Sequence, residues 1–101
     1  MVRSHRKVIN RIREAVLNGH YIITPHAWSE MKNDDLVLSD IESALLRGTI
    51  EYEYTDDPRG ARYRIIGEAN DLTTAIAVVV RFVKENHLLI ITTFVIENGR
   101  E

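Results

Sequence analysis

A chain of 101 residues is long enough for one hydrophobic core of modest size and too short for several domains. Its 45% hydrophobic and 28% charged residues are ordinary for a globular protein, and the lack of cysteine excludes a disulfide framework and thiolate chemistry. The formal net charge of −2 hides an asymmetry: residues 1–20 hold Arg3, Arg6, Lys7, Arg11 and Arg13 against Glu14, a local +4 on a body of −6. A basic arm on an acidic body suits contact with phosphates or an acidic partner, or else a solvated helix face. No apolar run nears the roughly 20 residues of a membrane span, and the polar N-terminus lacks a signal-peptide core, so a cytoplasmic location without membrane contact is expected.

Residues 5–18 read as an amphipathic helix, with Val8, Ile12 and Val16 repeating at i+4 and Gly19 placed to stop it. Tyr21-Ile22-Ile23 suits a brief strand. Thr24-Pro25 then starts a helix running to about Asn33: threonine caps free N–H groups, and proline at the first position loses no hydrogen bond. Ser39 and Glu42 have capping-box spacing for a further helix that buries Ile41, Ala44 and Leu45 and closes at Gly48.

Beyond Gly48 the period changes to two. Ile50, Tyr52 and Tyr54 alternate with Glu51 and Glu53, and Tyr63 and Ile65 with Arg62 and Arg64, around an Asp56–Gly60 loop. Residues 75–83 and 88–96 are nearly continuous apolar runs joined by a short turn, so they read as a hairpin of central strands. The expectation is α+β: N-terminal helices packed on a curved antiparallel four-stranded meander, in one domain spanning 1–101.

His26, near the second position of its helix, suits a general base or a bracket tying the helix to a strand. His5, His20 and His87 are too scattered for ligand spacing, so no metal or cofactor is expected. If the tyrosines share the buried face with Tyr63 and Ile65, Glu53 pairs with Arg62 or Arg64 across the strands. Arg81 stands near Ile90 on the face of Val79, Thr92 and Phe94. That face is too apolar to lie open, so either the N-terminal helix covers it or a partner does, a second copy of the chain being one such partner. A cation on a half-covered sheet suits a phosphate or carboxylate.

Several stretches together resemble a known group: Tyr21-x-x-Thr24-x-His26-Ala27-x-x-x-Met31, Asp40-Ile41-Glu42-x-Ala44-Leu45-x-x-Gly48, Arg62-Tyr63-x-x-x-Gly67 and Ile90-Ile91-Thr92-Thr93. The likeness, over residues 20–96 with the basic helix 1–19 outside it, is to an uncharacterised family of small bacterial and archaeal domains of unknown function, relatives of the BrnT and RelE toxins. It implies a RelE-like fold, RNA or the ribosome as target, an antitoxin protein as partner, and a metal-independent endoribonuclease as the activity. The matching catalytic candidates are His26, Arg62, Tyr63 and Arg81. Arg64, with Arg6, Lys7, Arg11 and Arg13 of the basic helix, would bind RNA. The family usually reads His-Ala-x-x-Arg-Met-x-x-Arg, whereas Glu30 and Asp34 stand here at the two arginine positions. Two such charge reversals disfavour a phosphate backbone, as does a pI of about 6.1. The other expectations from the residues are a non-catalytic protein-interaction module and a small-molecule binder with its cleft between sheet and helices.

Overall fold

The computed structural model describes residues 3–96, with side chains from His5 onward, so Arg3 of the basic arm and the two chain ends lie outside the described side chains. The elements follow as α1 (Arg3–Leu17), β1 (Tyr21–Ile23), α2 (Pro25–Asn33), α3 (Leu38–Arg47), β2 (Thr49–Tyr54), β3 (Arg62–Glu68), β4 (Ala75–Val83) and β5 (His87–Val95). The class is α+β, as expected, but the sheet is a mixed five-stranded one in the order β1-β5-β4-β3-β2. The four-stranded antiparallel meander is therefore corrected. Tyr21–Ile23 joins as a fifth strand, parallel to β5, because α2 and α3 carry the chain from one sheet edge to the other before β2 begins.

Local chemistry explains the helix ends. Gly19, at φ +70, donates its N–H to Val16, while His20 donates to Ala15, the paired reversal that closes α1. Thr24 caps α2: its hydroxyl oxygen accepts from Ala27 N–H at 3.1 Å and donates to the Ile91 carbonyl at 3.1 Å, so one side chain starts the helix and ties it to β5. The expected Ser39–Glu42 capping box is not formed. Asp40 takes that part, accepting from Val37 N–H at 3.0 Å, while Ser39 and Glu42 bond to Asn70 and Tyr21 instead.

α1 packs on α3, and α3 on β3 and β4. Together they bury Ile12, Ile41 and Leu45 against Ile65, Ile76, Val78, Val80, Leu88 and Ile90 on one sheet face. Gly67 makes the close layer spacing possible, since a Cβ there would stand 2.2 Å from the Ala44 carbonyl oxygen of α3.

α2 flanks the β5 edge. β1 pairs with β5 only over Leu88–Ile90, and beyond it Glu30 accepts from Thr93 N–H and Asp34 from Val95 N–H, each at 3.0 Å. Carboxylates four residues apart on a helix are about 6 Å apart along its axis, close to the spacing of alternate residues on a strand. Two side chains thus replace the strand that β1 is too short to supply.

Two register shifts set the other sheet face. In β2 the shift lies between Ile50 and Tyr52, so Ile50 faces the helices opposite Ile65 while Tyr52 and Tyr54 lie on the other face opposite Arg64 and Arg62. The expectation that the tyrosines share a face with Tyr63 and Ile65 is corrected, since an extra residue in a strand exchanges the faces beyond it. The second shift, between Val79 and Val80, sets Arg81 opposite Leu89 rather than beside Ile90. Among the described residues no helix is long and apolar enough to cross a membrane.

Candidate functional site

The helix-free face gathers most of the charged side chains that the strands carry. Arg62 and Arg81 are direct cross-strand partners, and Arg64 lies opposite Val79. Two like charges placed directly opposite repel, so this pair needs a counter-charge. Asp57 provides it. Asp57-Pro58-Arg59-Gly60 is a tight turn closed by Gly60 N–H to the Asp57 carbonyl at 3.0 Å, with proline and glycine at the positions such turns favour. The turn brings Asp57 to the two strands, where its side chain is 9% exposed and that of Arg81 11%.

The carboxylate of Asp57 accepts from Arg59 three times: from the backbone N–H at 2.9 Å and from the guanidinium Nε and Nη2 at 3.0 Å each. Arg81 Nη1 stands 3.6 Å from it and Arg62 Nε 3.9 Å, distances of ion pairing rather than hydrogen bonding. The hydrogen bonds from the Arg59 side chain, then from its backbone, hold the Asp57 carboxyl down at about 2, with the nearby Arg81 charge adding to the effect. Arg62 also lies over the ring of Tyr54 at 4.7 Å, and Tyr54 meets Tyr52 edge to face at 4.7 Å. Arg64 pairs with Glu51 at 2.8 Å, so the expected pairing of Glu53 with Arg62 or Arg64 is corrected. Glu53 lies opposite Tyr63 and contacts His5 of α1 at 3.3 Å.

The remaining sequence candidates lie elsewhere. His26 is at the start of α2, beyond β5, with its side chain 66% exposed and its Nε2 3.4 Å from Glu30. His26 faces solvent because Ala27 and Met31 form the inward side of that helix. The bracket between helix and sheet is Thr24. Tyr63 faces the helix layer, and burial, then the Glu53 charge, raises its pKa. Arg6, Lys7, Arg11 and Arg13 of α1 are on the opposite side of the sheet from Arg62, Arg64 and Arg81. Arg6 and Lys7 are exposed, Arg11 lies 3.9 Å over Phe82 and bonds Asn86 at 2.8 Å, and Arg13 donates to the Gly48 carbonyl at 3.1 Å. α1 packs within the helix layer, so it does not cover the Val79, Thr92 and Phe94 face.

The grouping on the open face therefore supplies guanidinium donors and aromatic rings, without His26 or Tyr63 within it. Such a surface can hold anionic groups and stack flat ones. Sequence reasoning missed Asp57, Arg59, Tyr52 and Tyr54 as members. The Asp-Pro-Arg-Gly run signals the turn, but only the register of β2 and β3 shows which arginines the turn meets. Among the described residues no three His, Asp or Glu side chains converge in a manner that would hold a metal ion.

A family model described as Domain of unknown function (DUF4258) matches residues 23–95. No curated protein and no solved structure matches the chain. The matched region runs from the end of β1 to the end of β5 and holds every member of the open-face grouping, while α1, which supplies Ile9, Ile12, Ala15 and Val16 to the core, lies before it. The chain belongs to the DUF4258 family of domains of unknown function.

Proposed function

We propose that this chain is a toxin-like protein of the RelE/BrnT kind that holds single-stranded RNA on the helix-free face of its sheet and cleaves it without a metal. The observation that carries the reading is the grouping of Arg59, Arg62, Arg64 and Arg81 with the rings of Tyr52 and Tyr54 on one open face. Guanidinium groups grip phosphate oxygens in pairs, and aromatic rings stack on bases whatever the sequence. Cleavage would use the 2′-hydroxyl of the RNA as nucleophile on the adjacent phosphorus. The 5′-oxygen leaves, a 2′,3′-cyclic phosphate remains, and the arginines offset the charge that builds on the phosphorane. His26 is the exposed group for proton transfer, provided the RNA extends across β5 to α2. In this reading an antitoxin protein is the partner that covers the same face.

Titration of a labelled single-stranded RNA followed by fluorescence anisotropy is the test. Arg62→Ala and Arg81→Ala should each weaken binding about tenfold and lower the salt slope by about one. Affinity unchanged in both variants would sink the reading. Cleavage that persists in excess chelator and leaves cyclic phosphate ends would identify the reaction.

The second reading is a non-catalytic module that pairs with a second copy through Val79, Thr92 and Phe94. It draws on the same open face, where Phe94 and Thr92 are half-buried with no helix over them among the described residues. Under it, Phe94→Glu converts a sedimenting dimer into a monomer, and a wild-type chain that sediments as a monomer counts against it.

A further inference from the structure

We propose that Asp57 is an internal stand-in for an RNA phosphodiester, closing an anion site formed by Arg59, Arg62 and Arg81 that RNA opens by displacing the carboxylate. The inference rests on the RNA reading of this face and adds how the site is regulated.

The hydrogen bonding of Asp57 is spent almost wholly on its own turn, since both carboxylate oxygens accept from Arg59. The strand arginines receive only charge: Arg81 at 3.6 Å and Arg62 at 3.9 Å are beyond hydrogen-bond length. The Nε of Arg62 is buried and has no hydrogen-bond partner among the described residues. A buried guanidinium donor left unpaired carries a desolvation cost that a better-fitting acceptor would remove. A phosphodiester offers acceptor oxygens spread in a tetrahedron, so it can face the Arg62–Arg81 pair and Arg59 together, where a planar carboxylate serves mainly one of them.

Asp57 is also held in a manner suited to exchange. It belongs to a four-residue surface turn tied by its own hydrogen bonds, so the turn can swing away without breaking a strand ladder. Arg59 moves with the turn and is exposed, so it can follow the carboxylate or stay with the incoming phosphate. Once the carboxylate leaves, Arg62 and Arg81 again face each other as like charges, and an incoming anion is favoured by that repulsion. The closed state thus lowers affinity for weak or isolated anions and yields to a polyanion that also engages Tyr52, Tyr54 and Arg64.

The experiment measures single-stranded RNA and inorganic pyrophosphate binding to the full chain and to Asp57→Asn, Asp57→Ser and Asp56→Asn. Serine keeps an acceptor for the Arg59 N–H, so a folding defect of one variant leaves the other to read. Asp56→Asn removes the same charge one residue away. Asp56 also stands 3.6 Å from Arg62 Nη2, but its side chain is 84% exposed, so water screens that pair and its loss should change affinity little. Both Asp57 variants should bind RNA about tenfold tighter than wild type, with little change in Asp56→Asn, and Arg62→Ala should cancel the gain. An equal gain in Asp56→Asn, or a gain that survives Arg62→Ala, overturns the proposal in favour of a general charge effect. If wild type binds RNA and the Asp57 variants bind it no tighter, the stand-in is overturned while the RNA reading stands. If the Asp57 variants take up pyrophosphate but nothing binds RNA, the RNA reading fails and the masked anion site remains.

Discussion

Tyr21 and Glu42 join β1 to α3 through the phenol hydroxyl, which donates to the carboxylate. Burial first, and then the bond and charge of Glu42, push the Tyr21 pKa up to about 12 from its usual 10.0. Because the folded state favours the protonated phenol, this contribution to stability is fully present below pH 10.0 and fades as the pH rises toward about 12. Tyr21→Phe should lower stability at neutral pH by about 1 kcal/mol, and thermal melts should show a shallower alkaline decline than wild type. Equal alkaline slopes would refute the assignment. At the same scale, Thr24 was readable as a cap from Thr-Pro alone, but its second bond to Ile91 was not, since that partner lies 67 residues away.

At the scale of elements, Glu30 and Asp34 reverse their sequence-level meaning. By charge alone they weaken a phosphate site. In the fold they are main-chain acceptors at the β5 edge, Glu30 on α2 and Asp34 at its C-cap, whereas the arginines are on β3 and β4. Replacing both with alanine should cost about 2 kcal/mol, near 1 kcal/mol for each lost bond, and speed amide exchange at Thr93 and Val95. Unchanged protection at those two amides would show that the carboxylates do not complete the edge. β2 teaches a related lesson. Strict alternation in Ile50-Glu51-Tyr52-Glu53-Tyr54 puts the tyrosines inside, and one bulged residue turns them out to the arginine face.

For the whole molecule, the decisive arrangement is a single helix layer on a five-stranded sheet, with the second face left to side chains and the Asp57 turn. The close fit of that layer depends on Gly67, where a Cβ would meet the Ala44 carbonyl oxygen at 2.2 Å and its carbonyl carbon at 2.8 Å. Gly67→Ala should therefore destabilise by about 3 kcal/mol, measured by denaturant unfolding, because backbone rather than a flexible side chain stands in the way. A loss below about 1 kcal/mol would mean that α3 shifts freely on β3.

The sequence by itself determined the α+β class, three helices with their stops at Gly19 and Gly48, and the β4–β5 hairpin. These follow from local rules of periodicity, capping and turn chemistry that act within a few residues. It also singled out Arg62, Arg64 and Arg81 as charges on otherwise apolar or aromatic strands. Only the tertiary structure decided that Tyr21–Ile23 completes the sheet, that Tyr63 and His26 stand apart from the arginines, and that Asp57 joins them. Each of those depends on strand order or on a one-residue register shift, which arise from contacts between distant segments and leave no local periodic trace.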